Sequence, residues 1–97
     1  MTEENNKKNI SLDDFNRLVY HLRLRTSYEI DLLMSGIAVV IGAILVENKD
    51  DLDIIPQEIV KMTADTARKY GRERIHEVSK ELLINYQEEL AELFGRK

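Results

Sequence analysis

The stretch Leu32–Val46 reads LLMSGIAVVIGAILV, an uncharged apolar run inside a 97-residue chain of which 33% is charged. How that run is covered decides the fold. Ile37, Val39, Val40, Ile41, Ile44 and Val46 are β-branched, so a buried strand IAVVI between Gly36 and Gly42 is one reading. The length of the run and the absence of any turn residue other than the glycines favour a helix. So does Thr26-Ser-Tyr-Glu29 just ahead of it, which has the form of a capping box. Within that helix Ser35, Ala38 and Gly42 form a narrow small-residue stripe, where a second helix backbone can approach closely.

An apolar helix of this kind is a buried hub, a contact with another chain, or a membrane span. Arg23 and Arg25 precede the run and acids follow it, the charge asymmetry of a single span. Its length argues against spanning, because the run rises only about 22 Å and a bilayer core is about 30 Å thick. Asp31 and Glu29 bound it on one side, Glu47 and Lys49 on the other. The single-span reading therefore ranks third, and a membrane partner is not expected.

Working back from the run, Ser11 and Asp14 have the spacing of a helix cap, and Phe15, Leu18, Val19 and Leu22 follow on one helical face. A helix over Leu12–Arg25 is predicted. Tyr20 and Leu24 fall on its other side, which implies cover from two directions. Residues 1–9 are polar and are read as a mobile tail, leaving 10–97 as one helical domain. They lack the apolar core of a signal peptide, and a cytoplasmic location is expected.

Downstream, Asn48–Asp53 is a polar connection in which Asn48 suits a left-handed helix end and Asp53 can cap the next helix. From Pro56 to Phe94 apolar residues step by three or four: Val60, Ala64, Ala67, Gly71, Ile75, Val78, Leu82, Tyr86, Leu90 and Leu93. That is one long helix, or two punctuated by Gly71. The expected fold is all-α, a three- or four-helix bundle around an apolar central helix, completed by dimerisation. Its core and interface are assigned to Phe15, Leu18, Leu22, Leu33, Ile37, Val40, Ile44, Leu82 and Leu90.

No catalytic pattern accompanies this frame. Cysteine is absent, which removes thiol nucleophiles and thiolate metal sites. His21 and His76 have no second ligand at metal spacing. The acidic loop 50–53 lacks the glycine and the terminal glutamate of an EF-hand. No phosphate loop or nucleophile–base pair occurs. The chain is therefore expected to bind rather than catalyse, without metal or cofactor, as a small interaction or accessory protein acting as a homodimer or complex subunit.

The alternative is a nucleic-acid-associated protein. Net charge is −4, and no single basic face is visible. A local cluster remains in Arg68, Lys69, Arg72 and Arg74, flanking Tyr70 and Gly71. Close to the other end of the final stripe, Gln87, Leu90, Leu93 and Phe94 resemble the peptide motif by which replication and repair proteins dock on ring-shaped sliding clamps. Leu93 stands where that motif usually has an aromatic residue. The order of a short helix, a longer apolar helix and the loop Asp53-Ile-Ile-Pro56 also resembles the histone fold. Asp53 stands there in place of the arginine expected beside that loop, and only the architecture is taken from it: a central helix completed by a second copy.

Overall fold

A computed structural model describes residues 10–49 and 52–93, excepting the side chains of 52 and 91–93. The tail assigned to 1–9 and the final residue of the clamp-like motif, Phe94, lie outside the described residues. The described chain is all-helical: α1 (Leu12–Arg23), α2 (Ile30–Glu47), a 3₁₀ turn (Leu52–Ile54), α3 (Gln57–Tyr70), α4 (Arg72–Asn85) and α5 (Gln87–Leu93).

Local chemistry accounts for most of these boundaries. Ser11 Oγ accepts from the Asp14 N–H at 3.1 Å and starts α1, with Asp13 and Asp14 at its positive end and His21 and Arg23 at its negative end. Phe15, Leu18, Val19 and Leu22 form its buried face, as their spacing predicts. The capping box read at Thr26–Glu29 does not form. Among the described residues Thr26 Oγ1 accepts from the Tyr28 N–H, at 3.4 Å, and not from Glu29, and α2 begins at Ile30 after Glu29, which makes no side-chain cap. At the other end the left-handed residue is Lys49 (φ 63°), whereas Asn48 sits at φ −90°. Asp53 falls within the 3₁₀ turn, and α3 starts after Pro56 without a side-chain cap.

The segment after Pro56 makes three helices, one more than the sequence suggests. Gly71 separates α3 from α4 at φ 94° and ψ 150°, a conformation closed to residues with a Cβ. Tyr86, at φ −131° and ψ 33°, separates α4 from α5 and lets α5 return over α1.

α2 is the hub, packed by α4, α3 and α1. Every residue from Leu32 to Ala38 is buried, about two turns wrapped on all sides. The closest approach is at Gly36, where an added Cβ would lie 2.7 Å from Val78 Cγ1 and 3.0 Å from Leu82 Cδ1. The small-residue contact expected along Ser35, Ala38 and Gly42 is thus displaced. Ser35 and Ala38 are buried, but the glycine that admits α4 is Gly36, and Gly42 has only Ile55 Cδ1 at 4.0 Å from such a Cβ.

On α3 the buried face also differs from the expected stripe. Val60 and Ala64 are exposed, and Ile59 and Thr66 are buried. Thr66 enters the interior because its hydroxyl donates to Met62 O at 2.8 Å, as Thr63 donates to Ile59 O at 2.8 Å. A polar residue thereby occupies a position that a hydropathy pattern reserves for an apolar one.

Candidate functional site

Eight of the nine residues assigned to core and interface (Phe15, Leu18, Leu22, Leu33, Ile37, Val40, Leu82 and Leu90) are buried within the single chain, and Ile44 is half-buried. They are spent on the chain's own core.

Exposed apolar side chains lie on the second half of α2. Val39, Ala43 and Val46 are exposed on one side of that helix, Val46 at 61%. At its Val39 end the stripe opens into a groove of about 180 Å³ between α3 and α4, lined by Val39, Thr63, Ala67, Arg72, Ile75 and His76. At its Val46 end comes Glu47. The sequence could not single out this stripe, because an uninterrupted apolar run has the same character on every face. Further exposed apolar side chains are Tyr20 on α1 and Leu24 at its C-cap, since α1 ends at Arg23 rather than at the expected Arg25, and Leu83 and Ile84 near the end of α4.

The basic cluster is brought to the α3–α4 junction but is largely engaged. Arg68 pairs with Asp65 at 2.6 Å, and Arg74 pairs with Glu77 at 2.9 Å while its guanidinium lies 5.3 Å from the Tyr28 ring centre. Lys69 Nζ lies 5.2 Å from the centre of the Tyr70 ring. Arg72 alone of the four has no ion pair or ring contact among the described residues, and it borders the groove.

Two tyrosine–carboxylate bonds fasten the α1–α2 loop to the rest of the fold. Tyr28 OH donates to Glu81 Oε1 on α4, and Tyr70 OH donates to Glu29 Oε1 at 2.8 Å. Both phenols are pushed above their ordinary value, first by the hydrogen bond to the carboxylate and then by desolvation.

Of the clamp-like residues, the side chains of Gln87 and Leu90 are described, and they differ in exposure. Gln87 is exposed, but Leu90 is fully buried, and α5 rests on α1 and α4. Its Glu89 lies 4.0 Å from both His21 and Arg25. Leu90 could grip a clamp only if α5 left the bundle. The side chain of Leu93 is outside the described set.

Among the described residues no group of three or more histidine or acidic side chains could hold a metal ion. α2 is long and apolar enough to cross a membrane, with mean hydropathy 2.2, yet 56% of it is buried inside the fold. The chain matches no protein-family model, no curated protein and no solved structure.

Proposed function

We propose that this chain is a non-catalytic interaction or accessory protein, acting as a homodimer or as a subunit of a larger complex. The observation that carries this reading is the uneven burial of α2. Its first half is wrapped on all sides, whereas its second half presents Val39, Ala43 and Val46 to solvent. Apolar surface left in water on a small domain is stabilised by association, and small domains bury a low fraction of their surface alone. Exposed Tyr20, Leu24 and Ile84 add to that surplus.

Nucleic-acid contact through Arg68, Lys69, Arg72 and Arg74 has less behind it. Two of those four cations, Arg68 and Arg74, are already paired with acids, and a phosphate contact at either would have to compete with an internal carboxylate. Light scattering coupled to size exclusion, without detergent, tests the proposal. The expected mass is a multiple of the 11.3 kDa chain. A strictly monomeric protein that also draws no partner from its native cell overturns it.

A further inference from the structure

We infer that the α2 stripe pairs with a second copy of itself in an antiparallel, two-fold arrangement, each Val46 entering the other copy's Val39 groove. The inference rests on the association reading above and names its surface and partner.

The first argument is spacing. Val39 and Val46 are two turns apart on one side of α2, separated by about 10 Å along the axis. The midpoint between them falls between Gly42 and Ala43, the smallest residues on that part of the helix. A two-fold axis at that midpoint exchanges Val39 with Val46 and brings the helices together where least side chain intervenes. Such isologous contacts are the commonest form of homodimer.

The second argument is shape. Val46 is an exposed branched side chain, and the groove at Val39 is a concavity lined by Thr63, Ala67 and Ile75. The two-fold axis carries the projection at one end of the stripe onto the recess at the other, twice over.

Charge supplies the third. Glu47 follows Val46, and Arg72 and His76 line the groove. Among the described residues neither Glu47 nor Arg72 has an ion pair. In the antiparallel arrangement each Glu47 meets the other copy's Arg72. In a parallel arrangement Glu47 would face Glu47, and like charges across an interface are repulsive.

Gly42 adds an independent reason. Gly36 is required by α4, and Gly71 by its φ of 94°. Gly42 meets neither demand, since a Cβ there would make only an ordinary contact with Ile55. A helix-interior glycine lowers stability relative to alanine, so its presence is accounted for by an approach from outside the chain.

The absence of cysteine makes the test direct. Ala43→Cys, beside the axis, is expected to form an intermolecular disulfide under mild oxidation, because bridged Cα atoms must lie within about 7 Å. Ile84→Cys, exposed but on the far end of α4, is expected to remain a free thiol with no intermolecular disulfide under the same conditions. Glu47→Arg should weaken self-association by about tenfold or more, and adding Arg72→Glu should restore it. Both positions are exposed, so far-UV circular dichroism is expected to report an unchanged fold. If the native chain dimerises but neither Val46→Glu nor Glu47→Arg weakens the dimer, this surface is overturned while the association reading stands. Failure of Arg72→Glu to rescue Glu47→Arg overturns the antiparallel register. A native chain that is monomeric at sub-millimolar concentration overturns the self-pairing outright; the association reading then survives only if a different protein is captured from the cell.

Discussion

Gly36→Ala and Gly42→Ala make the same chemical change on the same helix, and they are expected to act with opposite sign. Either change removes an interior glycine, worth about 1 kcal/mol in helix propensity. At position 36 the new methyl meets Val78 Cγ1 at 2.7 Å and Leu82 Cδ1 at 3.0 Å, with the Ser79 backbone N at 3.4 Å behind them. Leu82 can swing its terminal methyl away. Val78 is fully buried and β-branched, with little χ1 freedom, so the α4 backbone has to move. Overpacking of this kind costs about 1–3 kcal/mol, which outweighs the propensity gain and leaves Gly36→Ala destabilising by about 1 kcal/mol. For a domain this size that lowers Tm by about 4–8 °C. Gly42→Ala meets no such obstacle. Measured at dilutions where the chain is monomeric, it is expected to stabilise by about 1 kcal/mol.

Urea unfolding followed by far-UV circular dichroism reads both effects, and a double-mutant cycle isolates the cause. Val78→Ala alone is destabilising because it leaves a cavity beside Gly36. Introduced into that background, Gly36→Ala fills the space instead of colliding with it. The two changes should therefore couple favourably by about 1–3 kcal/mol. Strict additivity, or a Gly36→Ala variant as stable as Gly42→Ala, would refute the claim that α4 reaches its closest approach at this glycine.

Ser35→Ala is expected to raise stability by about 1 kcal/mol in the same urea assay, because Ser35 Oγ is buried without a hydrogen-bond partner among the described residues. Tyr28 should be a late-titrating phenol in an ultraviolet titration, since the Glu81 carboxylate accepts its proton-bearing bond, and Tyr28→Phe should remove that component. Its folded pKa lies above the unfolded value near 10. The stability it contributes is therefore complete below about pH 10 and fades as pH climbs through the raised value, which an unfolding series in alkaline buffers reads. Leu90→Ala should release α5 without melting the hub: hydrogen exchange is expected to speed up in residues 87–93 while amides of α2 stay protected.

How far the sequence was legible depends on how each segment contrasts with its surroundings. α1 mixes apolar and polar residues at helical spacing, so its buried face could be read residue by residue, and Ser11 fixed its start. α3 offered two overlapping series one position apart. The apolar Val60 and Ala64 compete with Ile59, Met62 and Thr66, and hydropathy alone prefers the first. The second is buried because threonine can satisfy its hydroxyl on the preceding turn, as both α3 threonines do. The left-handed residue at the end of α2 is Lys49 and not the expected Asn48 for a related reason. Asparagine tolerates the left-handed region more readily than lysine, but the length of α2 is set by its packing, which places the chain reversal one residue later. The exposed stripe was illegible in principle. Leu32–Val46 is apolar at every angle, and only the positions of the surrounding helices decide which few of its residues stay bare.

That same uniformity is why hydropathy cannot separate a hub from a span. The wrapped half of α2 contains Ser35 and Gly36, and α4 comes closest where a Cβ is missing. Lipid chains conform to any side chain and make no demand for a missing Cβ at one position. Val78 and Leu82, projecting from a helix fixed in place by Tyr28 and Glu81, do make that demand. The glycine at 36 is thus explained by a protein neighbour already in the chain. The same reasoning applied two turns later finds Gly42 with no such neighbour, beside Ala43 and between two exposed valines. If one rule governs both glycines, the second also answers to a helix, and a second copy of α2 has the small residues, the projection and the opposite charge in the right places to supply it.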